Sequence, residues 1–532
     1  MKLILKESGT NYLYKLGVML VCVMSLSILS INREMVFFRD YSITFEGSYR
    51  LYLGQIPYKD FFSPVGPGAY IIPAIFFHAF SPNWNIFLAS QQFINLLLIL
   101  VLHLILVRLE VQFYIHCISL VVFTIFYLLF QTHPWYNTTA TLLLFAGAWC
   151  SLSPRIISVI CSGLFVGMAV LTKQDFGLLG LVISGLFIVL MCFSPDSFQN
   201  QFRLDYDSMR ATALTALNKV AIYICSVVFV ISTFVFLTDS ETFLYWFNYG
   251  QPPHDSRLSM HWGMLKWLVA LAPGLFFKNL KLLFCSIIFT AALITRTTSG
   301  LEFTHFYYVA FVPVFIDELF KIQRSRRYFF LLCVSILLFF SLVVKIKHPI
   351  TSAYYVFEAM LSNQPEHFNF NYRDITGPLA PFPDSFDAFS ARALAPHATI
   401  AAVSLLKQDI RTLSRSVNTE GIRVLNMTEL TPIYAELHAL PPRNIPLWFH
   451  SKITLFDDQI EQLNSLFKKD YYDLILIQGT HEGMGPVYFS FLSTLNANSA
   501  YVMFSAIKGT PRNFTCSQSC EGDIFIYKKR QP

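Results

Sequence analysis

Long apolar runs without a charged side chain constrain this chain more than any other feature of its sequence. The run from Ile86 to Val107 contains no Asp, Glu, Lys or Arg, and neither do Val220 to Leu237 and Tyr328 to Val344. A helix needs about 20 apolar residues to cross the hydrocarbon core of a bilayer. Charged residues make up only 14% of the chain, against roughly 25% in soluble domains. The sequence therefore predicts a polytopic α-helical membrane protein.

The first apolar run, Tyr14 to Ile31, is preceded by Lys2 and Lys6, and no small-residue cleavage site follows it. This pattern predicts an uncleaved first helix with a cytoplasmic N-terminus. Ten further runs bring the expected number of transmembrane helices to about eleven. The predicted spans are 14–31, 86–107, 114–131, 138–152, 155–171, 177–193, 219–237, 264–277, 280–295, 305–320 and 328–344.

The run from Gly66 to Phe80 leaves an alternative open, because a twelfth span here would invert everything downstream. The run is short, opens with Gly-Pro-Gly and contains Pro73. With eleven spans, most clusters of Lys and Arg fall in cytoplasmic loops, as the positive-inside rule requires. We therefore expect residues 66–80 to form a helix at the outer interface, within a long first external loop (32–85).

The composition changes after about residue 348, where Pro, Asn, Asp and Ser become frequent. Strand-length apolar runs are expected at 421–426, 472–478, 500–505 and 523–527, with amphipathic helices at 457–468 and 486–495. We predict two domains: a transmembrane domain (1–347) and a C-terminal external α/β domain (348–532). Residues 363–395 are expected to form an irregular connection. The net charge of +6 forms no polybasic tract, so nucleic-acid binding has no support.

Several polar motifs fall on the predicted outer side, and their order resembles a known group of enzymes. The motifs are Glu46-Gly47, Leu53-Gly54-Gln55-Ile56-Pro57-Tyr58-Lys59-Asp60-Phe61-Phe62, Gly66-Pro67-Gly68, His133-Pro134-Trp135-Tyr136-Asn137, Leu171-Thr172-Lys173-Gln174-Asp175-Phe176-Gly177, Arg296 and His305-Phe306-Tyr307-Tyr308. They resemble bacterial membrane glycosyltransferases of the GT-C superfamily. Relatives in this group include the dolichyl-phosphate-mannose protein mannosyltransferases and the lipid A aminoarabinose transferase.

The resemblance implies transfer of a sugar from a polyprenyl-phosphate donor to a lipid, glycan or protein acceptor, with inversion, at the outer face of the bacterial inner membrane. Such transfer needs a carboxylate that accepts the proton of the acceptor hydroxyl. Many relatives carry adjacent Asp-Glu in the first loop, whereas Phe45 precedes Glu46 here. The departure leaves open which carboxylate is the base; Asp40 is the first candidate and Glu46 the second.

Cations must hold the donor phosphate and stabilise it as it leaves. The candidates are Lys173, Arg296, Arg50 and His305. The substrate cavity is expected to include Tyr58, Asp60, Trp135, Tyr136, Gln174, Asp175 and Tyr308. No cofactor is implied with certainty, and a requirement for a divalent metal is left open.

Each candidate also has a structural interpretation. Asp40 could pair with Arg39 or cap a helix, and Glu46 and Arg50 have the spacing of a helical ion pair. Lys173 and Asp175 could form a solvated helix end. Trp135 and Tyr136 could belong to an interfacial aromatic belt, and Asp60 could shape the loop. His305 and Tyr308 could satisfy the polar groups at the end of a span.

Two rival classes of protein share the composition. A transporter or lipid flippase would also be polytopic, but such proteins place ionisable residues near the middle of the membrane and often contain repeated halves. Here the charges lie at the outer ends of spans, and the sequence contains no repeat. A scaffold or sensor with an external ligand-binding domain is the third class.

Overall fold

The structure is a computed structural model with described residues in both predicted domains. It describes residues 16, 19, 22, 34–35, 39–63, 65–128, 131, 133–193, 206–249, 279–299, 303–322, 379–390, 393–414, 422–430, 432–447, 449, 455, 457–478, 486–510 and 522–530. Within these residues the chain forms fifteen α-helices, one long 3₁₀ helix and nine strands. The predicted spans 264–277 and 328–344 lie outside the described residues.

The N-terminal part is helical. Its elements are α1 (Arg39–Tyr52), α2 (Gly68–Ala79), α3 (Trp84–Arg108), α4 (Phe113–Phe126), α5 (Tyr136–Ser151), α6 (Ile156–Thr172), α7 (Gln174–Cys192), α8 (Tyr206–Leu237), α9 (Ser240–Tyr249), α10 (Leu280–Ser299), the 3₁₀ helix Phe303–Phe311 and α11 (Val312–Ile322).

Several of these helices are suited to a membrane. By length and apolar composition, Trp84–Arg108, Gln174–Cys192 and Arg210–Leu237 can cross a bilayer, and four shorter helices are also apolar. The chain is thus a helical membrane protein, as its composition predicts. Helix α2 has 12 residues, which gives it a length of about 18 Å, well short of a hydrocarbon core of roughly 30 Å.

The C-terminal part contains both helices and strands. Its elements are β3 (Leu379–Pro381), β4 (Ala393–Pro396), α12 (His397–Ser414), β5 (Val424–Met427), α13 (Ile433–Glu436), β6 (Ile445–Pro446), α14 (Asp457–Lys468), β7 (Leu474–Gln478), α15 (Pro486–Ala497), β8 (Tyr501–Thr510) and β9 (Gly522–Lys529). The four strands and two helices predicted here are confirmed to within a few residues. The expected irregular connection differs, because it contains β3 and β4.

A four-stranded sheet with the order β5-β7-β9-β8 forms the centre of this part. Because side chains alternate along a strand, Leu474 and Leu476 of β7 face one hydrophobic core and Ile475 and Ile477 face another. Helices α14 and α15 cover the second core with Leu463, Phe467, Phe491 and Leu495. The first core extends to Phe45 of α1 and Trp84 of α3, so it joins the sheet to the helical part.

Strands of the N-terminal part complete two small sheets of the C-terminal part. Strand β1 (Glu34–Met35) pairs in parallel with β4, and β2 (Phe61–Phe62) pairs in parallel with β6. At the start of α3, the amide of Trp84 donates a 2.9 Å hydrogen bond to the carbonyl of Ala388. The loop that contains the sequence motifs is therefore held directly on the C-terminal part.

Candidate functional site

An ion pair between Glu46 and Arg50 lies on α1, where the spacing of four residues places both side chains on one face. The Nη2 and Nε atoms of Arg50 lie 2.8 Å and 3.0 Å from Oε1 of Glu46. Nη1 donates to Oε1 of Gln55 at 3.1 Å and to the carbonyl of Pro442 at 2.7 Å. Arg50 is fully buried, so the helical ion pair allowed by the sequence is also a link to the C-terminal part.

Aromatic rings surround this ion pair. The guanidinium carbon of Arg50 lies 5.3 Å from the centre of the Phe61 ring and 5.9 Å from that of Tyr434. Burial raises the pKa of Glu46 above its usual range, and the positive charge of Arg50 opposes that effect. Oε1 of Glu46 already accepts two hydrogen bonds from Arg50. The two side chains therefore form an ion pair without net charge, and this pair is part of the packing of α1.

Three of the predicted site residues are placed only by their main chain. Asp40 is the second residue of α1, Arg296 lies near the end of α10, and His305 lies in the first turn of the 3₁₀ helix. Their side chains lie outside the described part of the structure.

Lys173 lies in the junction between α6 and α7, in an extended conformation that separates the two helices. Its side chain is almost completely buried, and Nζ lies 3.6 Å from Oδ2 of Asp175. The ammonium group also lies 4.8 Å from the ring centre of Phe176 and 5.6 Å from that of Tyr136, within the range of a cation–π contact. Lys173 is buried among aromatic rings, so it is not part of a solvated helix end. Gln174 begins α7 beside it and is partly exposed.

Trp135 and Tyr136 lie inside the protein rather than in an exposed aromatic belt, since each is only 9% exposed. Their ring centres are 6.0 Å apart in an edge-to-face arrangement. They share one hydrophobic cluster with residues of α1, the first loop, α2 and the C-terminal part. We call this the loop cluster; its members are Ile43, Phe61, Val65, Ala69, Tyr70, Trp135, Tyr136 and Leu447.

Glycines of the motifs stand where the chain leaves no room for a side chain. A Cβ atom on Gly66 would lie 2.7 Å from the carbonyl oxygen of Thr172 and still closer to that of Leu171. A Cβ atom on Gly47 would lie 2.6 Å from the ring of Tyr70. These close approaches explain why the motifs contain glycine, and they place the first loop directly against the residues that precede Lys173.

Tyr58 and Asp60 shape the first loop. Tyr58 adopts a φ of 60°, and its hydroxyl donates to the carbonyls of Ser63 and Val65 at 3.2 Å and 3.0 Å. Oδ2 of Asp60 accepts a 2.8 Å hydrogen bond from the amide of Ile56, while Oδ1 lies 3.4 Å from the guanidinium of Arg443. These contacts agree with the loop-shaping interpretation of Asp60.

The 3₁₀ helix lies beside Lys173 through Tyr307. The ring of Tyr307 packs 5.9 Å from that of Phe176, the residue whose ring faces the Lys173 ammonium. Tyr308 packs elsewhere, with its ring 5.8 Å from that of Phe289 in the helical core. The structure therefore groups Tyr136, Lys173 and Asp175, and it places Tyr308 against α10.

A cleft of about 520 Å³ opens next to the loop cluster, between the first loop and the C-terminal part. Tyr58 was expected at the substrate cavity and does line this cleft, but most of its lining comes from α9, β6 and α14. Sequence reasoning missed these residues, as it missed Gln55 and Phe61. Gln55 and Phe61 could have been found inside the first-loop motif, whereas the residues of β6 and α14 carry no such signal.

The arrangement combines carboxylates, a buried cation and aromatic rings in adjoining segments. An ammonium group over aromatic rings can bind an anionic oxygen, and a carboxylate at the start of α1 can accept a proton. Among the described residues, no three side chains of His, Cys, Asp or Glu gather into a group that could hold a metal ion.

Comparison with known proteins finds similar structures at low sequence identity. No family model matches the chain, and no curated protein matches it. Among solved structures, ArnT from Cupriavidus metallidurans in the apo state is 11% identical, covers 97% of this chain and 98% of its own, and gives a TM-score of 0.49. The same protein bound to undecaprenyl phosphate is 11% identical, with 98% of each chain covered and a TM-score of 0.49.

A third similar structure is the archaeal oligosaccharyltransferase AglB from Archaeoglobus fulgidus, in complex with an inhibitory peptide and a dolichol-phosphate. It is 11% identical, covers 88% of this chain and 70% of its own, and gives a TM-score of 0.41. The resemblance inferred from the motifs named the lipid A aminoarabinose transferase, and ArnT is that enzyme.

Proposed function

We propose that the protein is a membrane glycosyltransferase of the GT-C type. It moves a hexosyl or pentosyl group from a polyprenyl-phosphate donor to a lipid, glycan or protein acceptor, with inversion. The observation that carries this proposal is the loop cluster, because it packs motif segments around residues 61–70 and 135–136 against each other, beside Lys173. Motif residues that are far apart in the sequence thus lie in contact, and this supports a shared site.

The proposed topology has eleven spans in the bacterial inner membrane, with residues 348–532 on the outer side. Contacts between the first loop and the C-terminal part support it. Phe61 pairs with Ile445, and Arg50 donates to Pro442, so both parts lie on one side of the membrane and an even number of spans separates them. In the eleven-span arrangement, ten spans separate the first loop from the C-terminal part, which is an even number. If residues 66–80 also formed a span, eleven spans would separate Phe61 from Ile445, which is an odd number.

Asp40 is the proposed general base. The acceptor hydroxyl oxygen attacks the anomeric carbon of the sugar, its proton passes to the carboxylate, and the bond to the polyprenyl phosphate breaks. The engagement of Glu46 by Arg50 favours Asp40 for this role, because a base needs an oxygen that the acceptor hydroxyl can reach. Glu46 remains the alternative, since burial raises the pKa of its carboxyl and so makes it a better proton acceptor.

Lys173 and Arg296 are the proposed ligands of the donor phosphate, and His305 is the next candidate. The burial of the Lys173 ammonium supports this role, because charge–charge attraction strengthens away from water. Arg50 is instead assigned to holding α1 on the C-terminal part, since Glu46, Gln55 and Pro442 already accept its hydrogen bonds.

The decisive experiment offers the purified full-length protein a panel of polyprenyl-phosphate sugars together with a cell-envelope extract as the source of acceptors. The expected result is release of polyprenyl phosphate together with a glycosylated acceptor. Transport of an intact lipid-linked sugar between leaflets of a proteoliposome, without cleavage of its phosphate bond, would instead identify a flippase and contradict the proposal.

A further inference from the structure

The cleft of about 520 Å³ lies within the size range of small-molecule sites, roughly 300–1,000 Å³. Its floor is formed by the first loop, with the aromatic residues Tyr58, Phe61 and Phe62. Its walls come from α9, β6 and α14, and they carry Glu241, Thr242, Asn444, Asp458, Gln459 and Gln462. The cleft therefore lies between the two parts of the chain that the paired strands hold together.

The polar lining suits hydroxyl groups. Asn444, Gln459 and Gln462 each present a donor and an acceptor, and the carboxylates of Glu241 and Asp458 accept hydrogen bonds. A sugar hydroxyl both donates and accepts, so this mixture matches a carbohydrate, while the partly exposed ring of Phe62 offers an apolar surface to the C–H face of a sugar ring.

The charge of the lining disfavours a phosphate. Two carboxylates, Glu241 and Asp458, face one ammonium group, that of Lys59. Like charges repel, so a lining with more carboxylates than ammonium groups disfavours an anion. The cleft is therefore unsuited to the donor phosphate and better suited to an uncharged, hydroxyl-rich molecule.

The cleft also adjoins the pair of Glu46 and Arg50. The ring of Phe61 lines the cleft and lies 5.3 Å from the guanidinium carbon of Arg50, which in turn binds Glu46. The amide of Asn444 donates a 2.6 Å hydrogen bond to the carbonyl of Asp60. A ligand in the cleft would thus be separated from Arg50, near the C-terminal end of α1, by little more than one aromatic ring.

We infer that this cleft binds the uncharged glycan portion of the acceptor. The inference rests on the proposed function and deepens it, because it names the acceptor class as a carbohydrate and assigns its recognition to α14 and β6.

The test measures binding of the full-length protein in nanodiscs to an array of neutral oligosaccharides from bacterial surfaces, without any donor. The double substitution Gln459→Ala/Gln462→Ala removes two amides, and Ala preserves the helix. Glu461→Ala is the matched control, because Glu461 is exposed on the same helix and lies outside the cleft. The double variant is expected to bind at least about tenfold more weakly, whereas the control binds like the unmodified protein.

Three results would overturn the inference: no oligosaccharide bound by the unmodified protein, unchanged binding in the double variant, or displacement of the oligosaccharide by inorganic pyrophosphate. Binding of undecaprenyl phosphate, measured in parallel, separates this inference from the proposed function. Binding of that lipid without any oligosaccharide refutes the cleft alone, and binding of an oligosaccharide without the lipid refutes the proposed donor.

Discussion

The guanidinium of Arg50 is held by the carboxylate of Glu46, with Nη2 and Oε1 2.8 Å apart, although Arg50 has no exposed surface. A charge that is removed from water is tolerated only when it is paired and its hydrogen bonds are satisfied. Gln55 and Pro442 complete that set. The pair consequently connects α1 to a segment that comes almost four hundred residues later.

Breaking this pair should destabilise the protein strongly. Arg50→Met leaves Glu46 buried without its partner, which typically costs about 3–5 kcal/mol. Arg423→Met is the matched control, because Arg423 also pairs with a carboxylate, that of Asp473, but both side chains are substantially exposed. Its loss should cost at most about 1 kcal/mol. Thermal unfolding in detergent measures both, and equal losses would contradict the structural role of Arg50.

Asp40→Asn should reduce sugar transfer by about 10²–10⁴-fold, because Asn retains the size of the side chain but cannot accept a proton. The variant should still purify and bind donor lipid. Turnover of a polyprenyl-phosphate sugar measures the effect, and Asp384→Asn, at an exposed position of the C-terminal part, provides the control.

Glu46→Gln decides between the two carboxylates. If Asp40→Asn retains normal turnover and Glu46→Gln loses it, the base is Glu46 and the enzyme class stands. If both variants remain active, the proposed mechanism is wrong.

Lys173→Gln and Arg296→Gln should weaken binding of undecaprenyl phosphate. Loss of a charge-assisted hydrogen bond costs roughly 1.5–3 kcal/mol, which corresponds to an increase in Kd of about tenfold to more than a hundredfold. Arg155→Gln is a suitable control, because Arg155 is exposed at the opposite end of the helix that leads to Lys173. Unchanged affinity in both test variants would make Lys173 and Arg296 structural residues.

The stability should fall in mild acid because of His133. Burial lowers the pKa of His133 well below its usual range, so below about pH 6.5 the unfolded chain binds a proton there that the folded chain does not. The contribution to stability is complete above pH 6.5 and is lost by up to about 1.4 kcal/mol per pH unit as the pH falls.

His133→Phe should flatten this dependence in thermal unfolding measured between pH 7.5 and 5. An equal slope for the unmodified protein and His133→Phe would show that other groups cause the acid sensitivity.

Gly66→Ala should impair donor binding through Lys173. The new methyl group would collide with the carbonyl oxygens of Leu171 and Thr172, and main-chain atoms cannot turn aside as a flexible side chain can, so overpacking of about 1–3 kcal/mol is expected. Gly54→Ala is the control: its φ is 78°, with nothing within 4 Å of the new atom, so it strains the loop without displacing Lys173. Equal donor affinities in the two variants would contradict this coupling.

The sequence predicts those elements whose signal is local. Helix α14 was expected at 457–468 and occupies Asp457–Lys468, because its apolar residues recur with helical spacing. The pair of Glu46 and Arg50 was also visible, since four residues separate them. Helix α12 carries a comparable pattern in Val403, Leu406 and Ile410 and could have been found in the same way.

Contacts between distant segments could not be predicted. The carbonyls of Pro441 and Pro442 accept hydrogen bonds from Gln55 and Arg50, respectively. Every residue type has a main-chain carbonyl, so the sequence does not indicate which carbonyl will act as an acceptor. The short strand β2 is recognisable only through its partner β6. The cleft went unpredicted for the same reason, because its walls come from segments that only the folded chain brings together.

The pairing of β1 with β4 and of β2 with β6 has a consequence for biosynthesis. The first loop leaves the ribosome before the helices that follow it, yet its strand partners are made only after those helices. During that interval Phe61, Phe62 and the unpaired main chain around them remain exposed, a state that favours aggregation and binding by chaperones. Truncation before residue 440 should therefore leave a chain whose membrane helices can insert but whose first loop stays open to proteases.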